Sequence, residues 1–576
     1  MTQPTFDRET DLLVAGAGPG GMAAALVASL EGLDVVIAEK SEQVGGTAAT
    51  SAGTLWIPGN RQSLAAGWTD SAADAERYMD ALTGGPEAPN RRLREAYLAS
   101  GPEVIDDLMR RTEVQFVPCG KHPDYQSNRP GAAVAGRAIV ARMFDGRLLG
   151  PDFERVRPPI REFMVFGGMM VGKDDIPRLL GRFKSVANFI HAGKLFARYL
   201  KDRLRYSRGT RVVMGNALVA RLFYSLKRQD VPILFGAGIV ELIQGPRGVE
   251  GAVIETATGR LRIRARRGVV LATGGYAHDQ QLRNAFMPQP VTPLSLAAAP
   301  DTGDGIRLGQ GLGARVAPGE HGSGAFWTPV SKVPRRDGTQ GLFPHLSLDR
   351  AKPGLIAVNR EGRRFVDEGA SYHDFVEAMY ATRSIPAFLV CTAGFVRRYG
   401  IGPVHPGTRD LQPFADSGYL TLAPTLEALA RRLGLDPAVL AATVARHNGF
   451  ARTGRDEDFG KGESELSRFN GDAGHGPNPC LAPLETGPFC AVEVFPAEIA
   501  CSTGLSTDED ARVLNGAGEV IPGLYACGND MASIMAGTYP GPGTTLGPAI
   551  VFAWRAARHA AGCVPQQQQE RRLRAV

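Results

Sequence analysis

Cysteines are few and scattered: Cys119, Cys391, Cys480, Cys490, Cys501, Cys527 and Cys563 are odd in number and never stand as C-x-x-C. That pattern excludes a disulfide framework and a cysteine-based zinc site, and reads as reduced thiols that pack. No basic run is interleaved with aromatic residues, and a net charge of +6 is small for 576 residues, so no nucleic-acid partner is expected. There is no G-x-S-x-G elbow, no His-x-x-x-His pair and no P-loop, which ranks hydrolase, metalloenzyme and nucleoside-triphosphatase readings low. His122, His278 and His373 then read as ordinary polar contacts, and no metal site is expected. The opening MTQPTFDRET has neither a basic n-region nor an apolar h-region, and no stretch reaches the roughly 18 apolar residues of a spanning helix. A cytoplasmic location is the expectation.

What is plentiful is glycine, 71 residues in a chain whose hydrophobic (43%) and charged (22%) fractions are ordinary. Many turns and close backbone approaches to a ligand follow. The length predicts two domains. Residues 11 to 39, DLLVAGAGPGGMAAALVASLEGLDVVIAE, read as strand, Gly-rich turn, Ala-rich helix and second strand. Much later, GAGIVELIQGPRGVEGAVIETATGRLRIRARRGVVLATGG reads as a strand meander decorating the same domain. The segment LEALARRLGLDPAVLAATVARHNGFA predicts one helix in the second domain, and the QQQQERRLRAV tail is expected to fray. A basic helical stretch occupies about 176 to 228, within an insertion from about 150. It reads as a solvated insertion with one packed face, with a membrane-surface helix as the alternative.

Gly16, Gly18 and Gly21 form G-x-G-x-x-G directly after a strand and at a helix start, with Glu39 ending the next strand. A pyrophosphate can sit on that helix N-terminus and Glu39 can hold ribose hydroxyls, so the cofactor is FAD or NAD. Three further segments favour FAD. Lys40, Gly46, Thr47, Ser51 and Gly53 follow the acidic residue, where backbone can approach a long cofactor. The strand end Ala272, Thr273, Gly274 and the turn around Asp304 resemble segments that flavoproteins place near the adenosine half and the flavin. In GLYACGNDMAS, Gly528 and Asn529 follow a strand, and beyond them Gly543, Thr545 and Leu546 open a helix whose N-terminus can stabilise a reduced flavin.

With EKSEQVGGTAATSAGTLWIPGN, NREGRRFVDEGASYHDF and GLYACGNDMASIMAGTYPGPGTTLGPA, the chain resembles the fumarate reductase and 3-ketosteroid dehydrogenase superfamily, and within it the 3-ketosteroid Δ1-dehydrogenases. The resemblance implies an α/β fold: a Rossmann-like FAD-binding domain with an inserted α+β catalytic, or capping, domain. The expected divisions are 1–329 and 497–576 for the FAD-binding domain and 330–496 for the insert. Tyr372 stands where fumarate reductases carry an arginine, and AEIACSTGL lacks the dicarboxylate-binding His-Thr-Met-Gly-Gly run. The same segment departs from the Gly-Thr-x-Gly-Gly of the Δ1 enzymes.

The resemblance also implies roles. Tyr539 and the backbone N–H of Gly543 bind a ketone oxygen, Tyr372 takes the α-proton, and Tyr125 assists Tyr372 while a hydride passes to FAD. Expected partners are a steroid or cyclic ketone and an external electron acceptor such as a quinone, with peripheral membrane contact kept open. The first alternative is a Δ4(5α)-ketosteroid or alicyclic-ketone dehydrogenase, and the second is a non-catalytic FAD protein that binds steroid or lipid. The YPGPG run favours the Δ1 type, because the Δ4 enzymes carry a serine near this tyrosine.

Overall fold

The computed structural model describes residues 5–563 apart from 86, 89, 173, 174, 318–323, 347 and 348, so the QQQQERRLRAV tail lies outside the described residues. Strand Arg8–Ala15 turns into helix Pro19–Leu30 and returns as strand Val35–Ala38. Leu12, Leu13 and Val14 are all fully buried, as a parallel strand covered on both faces requires. Its two parallel neighbours are Val35–Ala38 and the distant Gly259–Leu271, and Val520–Ala526 lies parallel beyond the latter. In register Ala15 faces Leu271, and Leu271 faces Ala526. Three strands therefore end at one edge, the position where open α/β sheets bind ligands.

Strands Gly238–Gly245, Gly248–Thr256 and Gly259–Leu271 form the antiparallel meander expected from their turn residues. Helix Leu546–Ala560 packs on helix Pro19–Leu30, and so does Met214–Arg228. The basic stretch thus has two fates. Met214–Arg228 is buried along most of its length, whereas Asp175–Leu180 and Val186–Asp202 lie largely exposed.

A second, antiparallel sheet runs in the order Gln340–Pro344, Ala325–Pro334, Phe489–Cys501, Ala387–Thr392, Leu355–Val358, with Thr421–Ala423 also on Phe489–Cys501. Its strands Ala325–Pro334 and Phe489–Cys501 straddle the divisions expected at 330 and 496, so the second unit is entered and left through paired strands. The single helix expected over 426–451 is two, Leu426–Leu433 and Pro437–Thr453. Gly434 stops the first in the left-handed conformation (φ +70°), and Asp436 with Pro437 starts the second as N-cap and first residue. Among the described residues, no helix is long and apolar enough to cross a membrane.

Candidate active site

The strand ends open on one continuous cleft, and every expected cofactor residue except Gly21 lines it. The glycines divide by what surrounds them. A Cβ on Gly21 would collide with the Gly16 carbonyl oxygen, and one on Gly16 (φ +104°) with the Ala272 carbonyl oxygen. Those two close the turn onto the sheet. A Cβ on Gly18 or Gly528 would meet nothing within 4 Å. Both face the open cleft, and no side-chain cap closes the N-terminus of helix Pro19–Leu30 at Gly18. The residues therefore fit a bound dinucleotide: free space lies where a pyrophosphate would rest on a helix N-terminus.

Polar side chains brace this wall. The Glu39 carboxylate accepts from the Ala17 N–H (2.7 Å) and from the Ser41 N–H and hydroxyl (2.8 Å each). Lys40 Nζ pairs with Asp304 (2.9 Å) and donates to Thr302, tying the first unit to the Asp304 turn. Thr47 Oγ1 donates to Asp301 (2.7 Å) and accepts from the Ala298 N–H. Asp530 accepts from the Thr273 and Gly275 N–H groups at 2.6 and 3.0 Å. Burial pushes the Asp301 carboxyl up to about 7 and that of Asp530 up to about 6. Neither was singled out from the sequence, although each adjoins a segment that was. An acidic residue beside a Gly-rich strand end was the available signal.

At the other end of the cleft three tyrosines from remote segments meet. The Tyr125 hydroxyl donates to the Tyr372 oxygen at 3.1 Å. Ring centroids lie 5.3 Å apart for Tyr125–Tyr372 and for Tyr372–Tyr539, and 5.4 Å for the stacked Tyr125–Tyr539 pair. Phe326 closes the cluster edge-on to Tyr539 at 5.1 Å. Two of the tyrosines are held in place by identifiable contacts. The Tyr125 N–H donates to the Pro540 carbonyl, which also accepts from the Tyr78 hydroxyl, so the HPDY loop is fastened to the YPGPG turn. Tyr372 is the first residue of helix Tyr372–Ala381, whose N-cap Ser371 accepts from the Asp374 N–H. Gly543 (φ +97°) lines the cleft beside Tyr539, but a Cβ there would collide with the Thr54 carbonyl oxygen. Packing alone therefore demands glycine at 543, apart from any approach of a ketone.

Burial raises all three hydroxyls above the ordinary tyrosine range. Hydrogen bonds to neighbouring tyrosines oppose this on Tyr125 and Tyr372, and so does the charge of Arg350, which is 1% exposed. Its guanidinium donates to backbone carbonyls of His345, Leu346, Glu368 and Ala370, and so holds the turn that delivers Tyr372. Glu368 is held well below the usual carboxylate range by Arg364 and Lys461, and Arg364 also pairs with Asp456. The NREGRRFVDEGASY segment is thus a buried ionic frame ending in Tyr372. Arg350 lies outside it in sequence, and nothing in LDRAK marks that arginine as different from a surface one. His373 accepts from the Trp327 N–H at 3.2 Å and lies 3.0 Å from the Gly537 carbonyl, while His278 lies near the Ala297 carbonyl. Both are polar contacts.

The family model described as FAD binding domain matches residues 11–546. A 3-oxosteroid 1-dehydrogenase of Mycolicibacterium smegmatis is 34% identical, over 96% of this chain and 97% of that protein. The chain belongs to the 3-oxosteroid 1-dehydrogenase family. It is an FAD oxidoreductase. A 4-oxocyclohex-2-ene-1-carboxylate 5-dehydrogenase of Sinomonas cyclohexanicum is 38% identical, over 96% of this chain and 93% of that protein. The crystal structure of a 3-ketosteroid Δ1-dehydrogenase from Sterolibacterium denitrificans, in complex with 1,4-androstadiene-3,17-dione, superposes with a TM-score of 0.88 at 35% identity, covering 97% of this chain and all of that one.

Proposed function

We propose that this flavoenzyme introduces a C1–C2 double bond into 3-ketosteroids. The observation that carries the reading is the meeting of Tyr125, Tyr372 and Tyr539, from three remote segments, at the end of a cleft whose opposite wall is a dinucleotide cradle. Gly16, Gly18 and the N-terminus of helix Pro19–Leu30 would hold the pyrophosphate of FAD and Glu39 its ribose, while Thr47, Asn529, Thr545 and Leu546 would border the rest. Bound there, FAD would supply two-electron oxidising power for the hydrogen lost from C1. The protein's own work is on the proton.

The Tyr539 hydroxyl and the Gly543 N–H hold the 3-ketone oxygen and stabilise the charge that grows on it, which acidifies the neighbouring C2–H. The Tyr372 oxygen takes that proton, and the Tyr125 hydroxyl, 3.1 Å away, donates to the Tyr372 oxygen and stabilises it when ionised. Arg350 adds a buried positive charge behind both. Leu466, Ile499 and Ala500 give the cleft an apolar wall suited to a steroid skeleton.

A second reading, a monocyclic keto-acid as substrate, is favoured by the 38% identity to the alicyclic dehydrogenase. Anaerobic mixing of the yellow protein with androst-4-ene-3,17-dione tests the first reading. Bleaching of the flavin with a 1,4-diene product, identified by mass and NMR, supports it. No bleaching by the steroid but bleaching by 4-oxocyclohexanecarboxylate moves the assignment to the second. We also assign reoxidation to an external acceptor such as a quinone. Turnover with NAD but not with quinone analogues would sink that assignment.

A further inference from the structure

Large apolar side chains are exposed in one region above all. Ten of the sixteen among the described residues fall between Phe166 and Leu204, with Phe183 80% and Leu204 83% exposed. On helix Val186–Asp202 the inward positions are Tyr199 and Asp202. Val186, Phe189, Ile190, Phe196 and Leu200 recur at helical spacing on the side away from the protein. This is the reverse of a helix docked on a core: among the described residues its broad apolar face meets only exposed neighbours such as Phe166 and Phe183 and is otherwise open.

The charges are as one-sided as the apolar residues. From 176 to 205 the only carboxylate is Asp202, 3% exposed and accepting from the Thr210 N–H and hydroxyl. Arg178, Arg182, Lys184, Lys194, Lys201 and Arg203 are all exposed around the apolar face. The same surface reaches the cleft. Phe166, 66% exposed, packs edge-on against Phe196 at 5.3 Å, and Ile160 and Phe163 just before it line the cleft.

We propose that the surface formed by Phe166 and Ile176–Leu204 docks on an anionic lipid bilayer, with helix Val186–Asp202 lying in the interfacial plane. An apolar face rimmed by cations matches the acyl boundary and the anionic headgroups together. Docking does not depend on which ketone reacts, but it sets the cleft mouth beside the phase in which a lipophilic ketone dissolves.

The test is flotation of the FAD-loaded protein with phosphatidylcholine vesicles, with and without phosphatidylglycerol, at low and high salt. The wild type is expected to float with the anionic vesicles, far less with phosphatidylcholine alone, and less as salt rises. The pair Phe183→Ser and Phe189→Ser should abolish flotation while flavin absorbance is unchanged, since both side chains are exposed. Lys184→Gln and Lys194→Gln should each weaken it by roughly fivefold. Failure of the wild type to float, or flotation unaffected by the serine pair, overturns the proposal. So does a stable dimer, seen by light scattering, that the serine pair splits while no vesicle binding occurs: the face would then join two copies of the chain.

Discussion

Replacing Tyr372 by phenylalanine removes one oxygen atom and leaves the ring in place, so the packing with Tyr125 and Tyr539 survives. The Tyr125 hydroxyl loses its partner at 3.1 Å. An unsatisfied buried hydroxyl costs about 1–3 kcal/mol of stability, a loss the folded protein can bear, and the cofactor wall is untouched. If Tyr372 is the base, flavin reduction should slow by about 10²–10⁴-fold, or about 3–5 kcal/mol in the barrier. The pH dependence makes the test sharper. Burial holds Tyr372 well above the ordinary tyrosine range, so only a small ionised fraction exists at neutral pH. Below its pKa that fraction grows about tenfold per pH unit. The wild-type rate should therefore climb from about pH 6 to about pH 10 without a plateau, and Tyr372→Phe should lose the slope. The assay is anaerobic stopped-flow bleaching of the flavin at saturating ketone. A variant within about tenfold of the wild type, or a flat wild-type profile, with FAD still bound, would refute the reasoning.

Three further outcomes follow from the geometry. Gly18→Ala should fold normally yet lose FAD affinity by about tenfold or more, because its methyl enters the open cradle, whereas Gly21→Ala should destabilise the fold by about 1–3 kcal/mol through collision with the Gly16 carbonyl; flavin titration and thermal unfolding separate the two. Arg350→Gln removes the charge that lowers the Tyr125 and Tyr372 pKa values, so the pH–rate profile should move to higher pH, while Arg350→Lys should move it less; equal profiles in both variants would leave Arg350 a purely structural role. Asp301 is raised to about 7 from an ordinary value of 3.8, so in the folded apoprotein it keeps a proton that the unfolded chain has released. Its contribution favours folding below the ordinary value and is lost as pH rises through about 7, a loss of up to about 4 kcal/mol. Asp301→Asn should raise the apoprotein's unfolding temperature near neutral pH and hardly change it near about pH 4, and calorimetry at the two pH values checks this.

How much of this was legible in the sequence depended on whether a position is fixed by its neighbours in the chain or by remote ones. The first βαβ unit is local: alternation, glycine spacing and the acidic strand end lie within residues 11–39, and the structure has the same unit there. The meander at 238–271 is equally local. The helix expected over 426–451 failed on local chemistry that was present but underweighted, since Gly434 and Pro437 are a stop and a start. The basic stretch failed differently. It reads as one basic helical stretch, but Met214–Arg228 packs on helix Pro19–Leu30 and on the segments Gly46–Thr50 and Ala138–Ala141 and joins the core, while Val186–Asp202 lies on the surface.

The candidate site shows the same division. Tyr372 and Tyr539 stand in long family-like segments, and those segments carry their own supports: Ser371 caps the helix that starts at Tyr372, and Arg364 pairs with Glu368 four residues on. Tyr125 has a short segment, and its position is fixed by a backbone bond to Pro540, more than four hundred residues away. Arg350 has no segment at all. Its importance arises because carbonyls from His345 to Ala370 converge on one guanidinium, and convergence of carbonyls leaves no trace in residue type. The guanidinium bonds to neutral carbonyls and not directly to a carboxylate, while Asp349 binds His345 at 2.6 Å and the Gly402 N–H at 3.1 Å. The charge that best opposes the desolvation of the two tyrosines is therefore supplied by backbone geometry, which a reading of side-chain motifs passes over.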